Sequence, residues 1–171
     1  WALTPTAPNW ARTWIDHWQP GEAGARARLT AFLDEGLGTY SRDRDRPDLP
    51  ATSRLSPHLH FGEISPRQVH AAVNFHAGLE PMLASGTEKF MSEVGWREFS
   101  HHLLYHFPTM ATENWRPTFD AYPWLDAPQD LDAWQRGQTG YPFVDAGLRE
   151  LWQTGFMHNR VRMIVASFLV K

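Results

Sequence analysis

The stretch GQTGYPFVDAGLRELWQTGFMHNRVRM, from Gly137 to Met163, decides the fold, because its pattern is that of a turn, a helix, a second turn and a second helix. Pro142 falls near the first helical position, where the N–H that proline lacks costs little. Gly155 is a natural stop at the C-terminal end of that helix. Four apolar residues between these points recur at i, i+4, i+7 and i+8, namely Val144, Leu148, Leu151 and Trp152. This spacing predicts an amphipathic helix with one buried face.

The second helix of this stretch opens with a cluster of polar and basic side chains. The cluster consists of His158, Asn159, Arg160 and Arg162. A purely structural helix rarely needs an asparagine and two arginines at its start, and the positive end of the helix dipole adds to the cationic field there. The sequence therefore predicts an anion-binding site at the beginning of this helix.

The remaining patterns of the chain are also helical. An apolar face over residues 22–35 predicts a helix that Gly36 stops. Ser65-Pro-Arg-Gln68 has the form of a capping box and predicts a helix that runs to about His76. Thr87 is predicted to cap a longer helix that ends near residue 106. Because the sequence contains no convincing alternating strands and no repeats, we expect an all-α, multi-helix fold.

The first part of the chain differs from the rest in composition. Four Trp and three Pro occur in residues 1–20 without a clear period, so residues 1–21 are predicted to form an extended arm or linker. Residues 22–171 are then one helical domain, with loops predicted over residues 42–50 and 107–130. The helical pattern still continues at Lys171, so the chain is expected to be a fragment of a longer protein.

The bulk composition excludes several classes of function. The length of 171 residues fits one domain with a sizeable core. The absence of Cys excludes disulfides and a thiolate nucleophile. No apolar run is long enough to cross a membrane and no signal-peptide pattern opens the sequence, so a cytoplasmic protein is expected. The net charge of −3 argues weakly against a nucleic-acid binder, although a local arginine patch suffices for phosphate contacts.

Two histidine pairs have spacings that occur in metal sites. They are His58-x-His60 and His102-x-x-x-His106. Neither pair is completed convincingly by a carboxylate or a cysteine in the sequence. No metal site is therefore predicted.

Four segments, in order, carry a family resemblance. The stretch over residues 137–163 is preceded by Tyr40-x-x-x-Arg44, by TSRLSP at residues 52–57 with Ser65-Pro-Arg-Gln68, and by EVGWREF at residues 93–99. Together they resemble the DNA photolyase and cryptochrome family from about Leu29 to Lys171. The resemblance implies the first part of the helical flavin-binding domain of a class I cyclobutane pyrimidine dimer photolyase, truncated. It also implies three partners, which are FAD, DNA with pyrimidine dimers, and the missing C-terminal half of the flavin domain.

The segment over residues 52–56 has the composition of a phosphate cradle. It offers three hydroxyls, a guanidinium and several backbone donors. A turn that satisfies its own backbone is the alternative. The resemblance implies that FAD is bound by Tyr40, Thr52, Ser53, Arg54, Leu55, Ser56, Phe90 and Arg162. Of these, Phe90 would lie beside the flavin, and Arg162 would pair with an acidic residue that follows Lys171.

A carboxylate, an indole and a guanidinium share one face of the predicted long helix. These groups belong to Glu93, Trp96 and Arg97, and they suit a pocket for a flipped base on which the indole can stack. The alternative is a core Trp96 and a surface pair of Arg97 with Glu98. The resemblance implies that damaged DNA is contacted by Arg44, Glu93, Trp96, Arg97, Phe156, Asn159, Arg160 and Met163. Arg44 would contact a backbone phosphate, and a solvated charge run over residues 42–46 is the alternative there.

One tryptophan matches an electron-relay position of the family. Trp124 precedes Trp134 by ten residues, the spacing of the surface member of the relay, although an ordinary loop Trp is the alternative. The resemblance implies light-driven repair of cyclobutane pyrimidine dimers by electron transfer from reduced FAD, with catalytic roles for Glu93, Asn159 and Trp124. A cryptochrome-like blue-light receptor without repair activity and an inert helical scaffold remain the alternatives.

Overall fold

Helices provide all the regular secondary structure of residues 4–170, the part of the chain that the computed structural model describes. The predicted all-α class is therefore confirmed. The α-helices are α1 (Glu22–Ala31), α2 (Tyr40–Asp43), α3 (Ser56–His60), α4 (Pro66–Leu79), α5 (Ala84–His106), α6 (Pro128–Gln135), α7 (Pro142–Thr154) and α8 (Asn159–Val170). A π-helical turn covers Phe32–Gly36, and 3-10 turns cover Arg12–Asp16, Leu37–Thr39, Pro81–Leu83, Pro108–Ala111 and Pro117–Ala121.

The larger of two hydrophobic cores lies among α1, α4 and α5. At its centre Phe32, Tyr40 and Phe90 pack ring against ring, with centroids 4.6–5.5 Å apart. Helix α5 passes very close to the chain beside it, since a Cβ built on Gly86 would lie 1.8 Å from the carbonyl oxygen of Leu37. Only glycine fits at this position. The close contact fixes α5, which carries the predicted base-binding face, against the segment that leads into α2.

The smaller core joins α7 to α8. Its buried side chains are Val144, Leu148, Met157, Val161 and Val165. The predicted stop at Gly155 is confirmed, since this residue is the C-cap of α7 and has a φ of +70°, the left-handed conformation that glycine adopts without strain. Trp134 of α6 packs against this core and donates its indole N–H to the carbonyl of Val165 at 3.2 Å.

The N-terminal arm packs against the C-terminal end of α7. Thr13 Oγ1 donates to the carbonyl of Gln153 at 2.6 Å, Trp14 Nε1 to that of Trp152 at 3.0 Å, and Trp18 Nε1 to that of Thr154 at 2.6 Å. The last carbonyls of a helix have no partner within the helix, so these three side chains satisfy groups that would otherwise need water. The predicted division of the chain at residue 21 stays a prediction, and residues 1–3 and 171 lie outside the described residues.

Three local predictions are wrong, each for an identifiable reason. Gly36 does not stop the first helix, because its backbone is right-handed (φ −105°, ψ −33°) and the chain continues through the 3-10 turn into α2. Thr87 does not cap α5, because the 3-10 turn that begins at Pro81 leads directly into a helix from Ala84. Helix α6 was not predicted at all, since its start lies in the Pro-rich segment that was expected to be a loop.

The capping box of α4 is confirmed in both directions. Ser65 Oγ accepts a hydrogen bond from the backbone N–H of Gln68 at 3.2 Å, and the Ser65 N–H donates to Gln68 Oε1 at 2.8 Å. The helix extends to Leu79, three residues past the predicted end. Across residues 4–170, none of the helices is both long enough and apolar enough to span a membrane.

Candidate functional site

Glu93 and its neighbours form a polar face on α5. Glu93 is half-buried, and its Oε1 accepts a hydrogen bond from Arg44 Nη1 at 2.5 Å and lies 3.5 Å from Lys89 Nζ. One turn further along α5, the Trp96 side chain is 59% exposed. Arg97 donates from Nη2 to the carbonyl of Leu59 at 3.3 Å and from Nη1 to Glu98 at 2.6 Å. The surface pair of Arg97 with Glu98 is therefore formed, while the Trp96 indole is open to solvent.

Arg44 is a buried cation held between carboxylates. The residue is 8% exposed, so its guanidinium is not freely available to a DNA phosphate. Its Nε lies 3.6 Å from Asp45 Oδ1 and makes no hydrogen bond within the described residues. Asp45 in turn accepts hydrogen bonds from Nε and Nη2 of Arg160 at 2.9 and 2.8 Å. These bonds outweigh burial and lower the pKa of the Asp45 carboxyl.

Of the polar cluster at the start of α8, Asn159 and Arg162 are exposed, Arg160 is half-buried and His158 is buried. The backbone N–H of Arg160 donates to Nδ1 of the buried His158 at 3.2 Å, so His158 caps the helix. Asn159 is exposed beside it, and Met163 lies one turn further with its Sδ 3.7 Å from Arg160 Nη1. Arg162 is exposed, donates to the carbonyl of Met157 at 3.3 Å, and has no acidic partner among residues 4–170.

The predicted phosphate-binding turn has a strained backbone. Arg54 has a φ of +51°, a left-handed conformation that costs a residue with a side chain about 1–2 kcal/mol. Its guanidinium lies over the ring of Phe156 with 4.7 Å between the Cζ and the centroid, and it forms no ion pair within the described residues. Ser53 Oγ accepts from the N–H of Leu55 at 3.4 Å, so part of the turn does satisfy its own backbone. Ser56 is exposed at the start of α3.

A cleft of about 370 Å³ opens beside this turn. Thr52 and Ser53 line one part of it, and Arg28, Glu35 and Asp43 contribute charged groups to its wall. A hydrogen bond from Arg42 lowers the pKa of the Asp43 carboxyl to about 2. The cleft therefore offers both hydroxyl donors and carboxylate acceptors.

Tyr40, Phe90 and Leu55, which were predicted to bind the cofactor, lie in the larger core. They are 6%, 5% and 2% exposed. Burial raises the pKa of the Tyr40 hydroxyl to about 12, so this group stays neutral at all physiological pH values. The Arg44 guanidinium lies 5.8 Å from the Tyr40 ring centroid, which links this core to the charged residues.

A second, larger cleft of about 1060 Å³ holds the predicted relay position. Trp124 is 58% exposed in this cleft, with its ring 4.7 Å from that of Tyr122, and Trp134 lines the same cleft. The two tryptophans that were paired by spacing therefore face one opening. Apart from them, the cleft is lined mainly by apolar side chains that include Leu131 and Phe168.

The structure connects five of the predicted residues in two groups. The first comprises Arg44, Glu93 and Arg160, which a chain of ion pairs connects. The second comprises Arg54 with Phe156, which are in direct contact. Trp124 lines a separate cleft whose walls include no residue of either group. Within the described residues, no cluster of three or more metal-ligating side chains is found.

Two structurally central residues, Asp45 and Asp145, were missed by sequence reasoning. Asp45 lies in the charged segment over residues 42–46, and only its contact with Arg160, 115 residues away, reveals its position. Asp145 accepts hydrogen bonds from the N–H and hydroxyl of Thr139 at 2.8 and 2.6 Å and from the N–H of Gly140 at 3.1 Å. An acid in the first turn of a helix was the available signal for Asp145. His158 was predicted as part of the polar cluster at the start of α8, but its role as a cap was not, because histidine is not a preferred N-cap.

Comparison with known proteins gives a consistent set of matches. Residues 90–171 match a family described as the FAD binding domain of DNA photolyase. A deoxyribodipyrimidine photo-lyase of Agrobacterium fabrum is 54% identical over 100% of this chain and 35% of its own length. One from Thermus thermophilus is 45% identical over 90% of this chain and 35% of its own length. The chain thus spans about a third of the length of these curated relatives.

Solved structures of similar proteins have the same helical arrangement. A crystal structure of a bacterial class III photolyase from Agrobacterium tumefaciens has a TM-score of 0.95 and 51% identity, and the match covers 100% of this chain and 35% of that one. A cryptochrome from Synechocystis has a TM-score of 0.82 and 34% identity, and the match covers 90% of this chain and 32% of that one.

Proposed function

Since this chain belongs to the photolyase and cryptochrome family, we propose that it is part of a flavoenzyme that repairs cyclobutane pyrimidine dimers in DNA by light-driven electron transfer. One observation carries this proposal. The exposed indole of Trp96 lies one turn of α5 from a carboxylate, Glu93, that is tied by Arg44 and Asp45 to Arg160 at the start of α8. A stacking surface and a polar recognition group thus share one side of the molecule with an arginine.

The proposed roles on the substrate follow from the chemistry of these side chains. Trp96 would stack on a flipped base, as aromatic side chains do in enzymes that act on extruded nucleotides. Glu93 would accept hydrogen bonds from pyrimidine edges, and Asn159 would donate or accept at the same surface. Arg160, with Met163 beside it, would contact the DNA backbone. Because Arg44 is buried, we assign it the support of Glu93 and not a direct contact with phosphate.

The residues of the Thr52–Ser56 turn fit the phosphates and sugar chain of FAD. Arg54 has no acidic partner in the described part of the chain and can therefore neutralise a phosphate. Strain of the kind seen at Arg54 occurs often at ligand sites. The carboxylates of Glu35 and Asp43 in the adjoining cleft are suitable acceptors for the hydroxyls of a sugar chain. When bound, reduced FAD supplies the electron for repair, and this chain contributes its binding and orientation.

Tyr40, Phe90 and Arg162 have supporting parts in this proposal. Tyr40 and Phe90 would form an apolar wall behind the cofactor, since both belong to the same core cluster as Leu55. Arg162 would pair with an acid from the remaining part of the flavin domain, which is consistent with its exposure. Trp124 would act as an entry point for electrons at the surface, where its side chain is open to solvent.

The class within the family is a separate question. The motifs predict class I, whereas a structural neighbour with 51% identity over the whole chain is described as a class III photolyase. The class I assignment therefore stays a prediction, and the neighbour favours class III.

The test of the proposed function has two steps. The purified chain is mixed with FAD and passed through a gel-filtration column, and co-elution of flavin absorbance with folded protein would support the cofactor site. The full-length natural protein is then reduced, mixed with an oligonucleotide that contains one thymine dimer, and illuminated. Light-dependent loss of the dimer supports repair. Bound flavin without repair would indicate a cryptochrome-like light receptor, and a folded full-length protein that binds no flavin would indicate a scaffold.

A further inference from the structure

Five charged side chains from three segments form a continuous chain of ion pairs. Its members, in order, are Arg160, Asp45, Arg44, Glu93 and Lys89. The successive nitrogen–oxygen distances are 2.8, 3.6, 2.5 and 3.5 Å. These ion pairs join the start of α8, the residues after α2 and the polar face of α5. Its net charge is +1, so an anion is attracted to it as a whole.

Asp45 connects the two arginines in this series of ion pairs. Its two oxygens accept from Nε and Nη2 of Arg160, a bidentate arrangement that fixes the plane of the guanidinium. Its Oδ1 also lies 3.6 Å from the buried Nε of Arg44, which has no hydrogen bond within residues 4–170. A single carboxylate therefore holds two arginines that are 116 positions apart in the sequence.

We propose that Asp45 is a positioning residue that orients Arg160 for binding to the backbone phosphate of dimer-containing DNA, an inference that rests on the proposed function. A guanidinium has five N–H groups, and Asp45 occupies two of them along one edge. The remaining edge carries Nη1 and the second N–H of Nη2. Nη1 donates to Met163 Sδ at 3.7 Å and has no other hydrogen-bond acceptor within residues 4–170, and the Arg160 side chain is 43% exposed. One N–H on Nη1 and one on Nη2 remain without an acceptor in the described part of the chain, and together they can form two hydrogen bonds with one phosphate.

For loss of the Asp45 charge, a role in orienting Arg160 and simple electrostatics predict opposite changes in the affinity for dimer-containing DNA. Loss of a negative charge beside an arginine strengthens the general attraction of any DNA, because the local field becomes more positive. Loss of a group that orients Arg160 weakens only the binding that needs a fixed geometry. The variant Asp45→Asn is therefore expected to bind dimer-containing DNA about tenfold less tightly, equivalent to about 1.4 kcal/mol, while its affinity for undamaged DNA does not fall.

The matched control is Asp48→Asn. Asp48 lies in the same loop, is exposed, and pairs with Arg46 at 2.6 Å, so its replacement makes the same change in charge without touching Arg44 or Arg160. Asp45→Glu keeps the carboxylate and is expected to recover at least part of the lost affinity. Flavin absorbance and the thermal unfolding midpoint of each variant identify any general loss of structure.

The experiment uses the full-length protein with FAD bound. It measures Kd for a thymine-dimer duplex and for its undamaged equivalent by fluorescence anisotropy, and the Arg160 Nε–H signal by 15N NMR. The inference is supported if Asp45→Asn loses the protected Nε–H signal and the preference for the dimer, while Asp48→Asn keeps both. It is overturned if the signal persists in Asp45→Asn, or if the affinities for both DNAs rise together.

Failure of the proposed function gives a different experimental result from failure of the positioning role of Asp45. If the wild-type protein itself shows no preference for dimer-containing DNA, repair is not its function and the DNA role of Asp45 is overturned with it. The NMR signal still reports in that case whether Asp45 orients Arg160. An effect of Asp45→Asn on DNA without any effect on the Arg160 signal would leave the proposed function intact and overturn the positioning role.

Discussion

Arg44 and Glu93 lie 49 residues apart in the sequence, and a 2.5 Å hydrogen bond from Arg44 Nη1 to Glu93 Oε1 joins the end of α2 to the middle of α5. The arginine is buried and the carboxylate is half-buried. A buried charge that loses its partner is costly, because neither water nor protein then compensates its desolvation. The stability of the domain therefore depends on a pair that also forms part of the proposed substrate site.

Replacement of the carboxylate tests this pair directly. Glu93→Gln is expected to lower the free energy of unfolding by about 2 kcal/mol, the usual value of a hydrogen bond to a charged group. Glu98→Gln is the control, because Glu98 forms a bond of similar length to Arg97 but is exposed, and its loss is expected to cost less than about 0.5 kcal/mol. Urea denaturation measures both. Equal losses would contradict the importance of burial at Arg44.

The two glycines of α5 are expected to respond in opposite ways to replacement by alanine. Gly86→Ala is expected to destabilise the fold by about 2 kcal/mol or more, because the new Cβ would lie 1.8 Å from the Leu37 carbonyl oxygen. Gly95→Ala on the same helix meets no atom within 4 Å and is expected to stabilise by up to about 1 kcal/mol through helix propensity. Thermal unfolding of both variants gives the comparison. A tolerated alanine at residue 86 would show that α5 can move away from Leu37.

The hydrogen bonds of Asp145 in the turn before α7 predict a pH dependence of the free energy of unfolding. Hydrogen bonds from the Thr139 hydroxyl and from the N–H groups of Thr139 and Gly140 lower the pKa of Asp145, against the opposing effect of burial. Because the folded-state pKa lies below the unfolded value, the carboxylate stabilises the fold above the unfolded pKa, and this contribution disappears as pH falls through the folded value. The stability difference between wild type and Asp145→Asn is therefore expected to be larger at pH 7 than at pH 3.

The control for this pH experiment is Asp126→Asn, in an exposed loop that makes no ion pair within the described residues. Its difference from wild type is expected to be small at both pH values. A difference for Asp145→Asn that grew on acidification would reverse the predicted sign.

The contact of the arm with α7 predicts unequal effects of two tryptophan substitutions. Trp18→Phe keeps an aromatic ring but removes the indole N–H that donates to Thr154, and it is expected to cost about 1 kcal/mol. Trp10→Phe is the comparison, because Trp10 is 42% exposed and packs edge-on against Trp14. Its replacement is expected to be nearly neutral. Urea denaturation measures the free energy of unfolding of both variants. If Trp18→Phe leaves it unchanged, water satisfies the Thr154 carbonyl as well as the indole does.

Replacement of Arg54, whose backbone is strained, is expected to change the affinity for FAD more than the stability of the fold. Arg54→Gly relieves a left-handed conformation and is expected to change the free energy of unfolding by less than about 1 kcal/mol, since the gain offsets the lost contact with Phe156. Under the proposed function, its affinity for FAD falls at least about tenfold, because a charge-assisted contact is lost. Arg54→Lys keeps the charge and is expected to fall less. Fluorescence titration with FAD measures both.

Local patterns predicted the parts of the fold that local forces determine. The capping box at Ser65, the left-handed stop at Gly155 and the helix that opens at Asn159 all depend on neighbours within four residues, and each is confirmed. Gly36 misled the prediction because a glycine stops a helix only where its φ is positive, and the sequence does not record φ. Helix α6 was missed because a proline-rich approach hides a helix that begins at a proline.

The candidate site was predictable only residue by residue. Motif matches selected Glu93 and Arg160, but nothing in the sequence joined them, since the connecting contacts span 49 and 115 residues. Arg44 illustrates the limit, because an arginine in a polar loop suggests exposure, whereas its burial depends on α5 packing over α2. Burial and pairing over long separations require the tertiary structure.

The contact between Trp18 and Thr154 has a consequence for synthesis of the protein. The donor leaves the ribosome 136 residues before its acceptor, an interval of about 7 to 27 seconds at the usual rates of translation. During that time the tryptophans of the arm have no helix end to bind and remain available to chaperones or to other nascent chains. The arm can therefore reach its native contacts with α7 only after α7 has emerged, although the arm itself is made before every helix of the two cores.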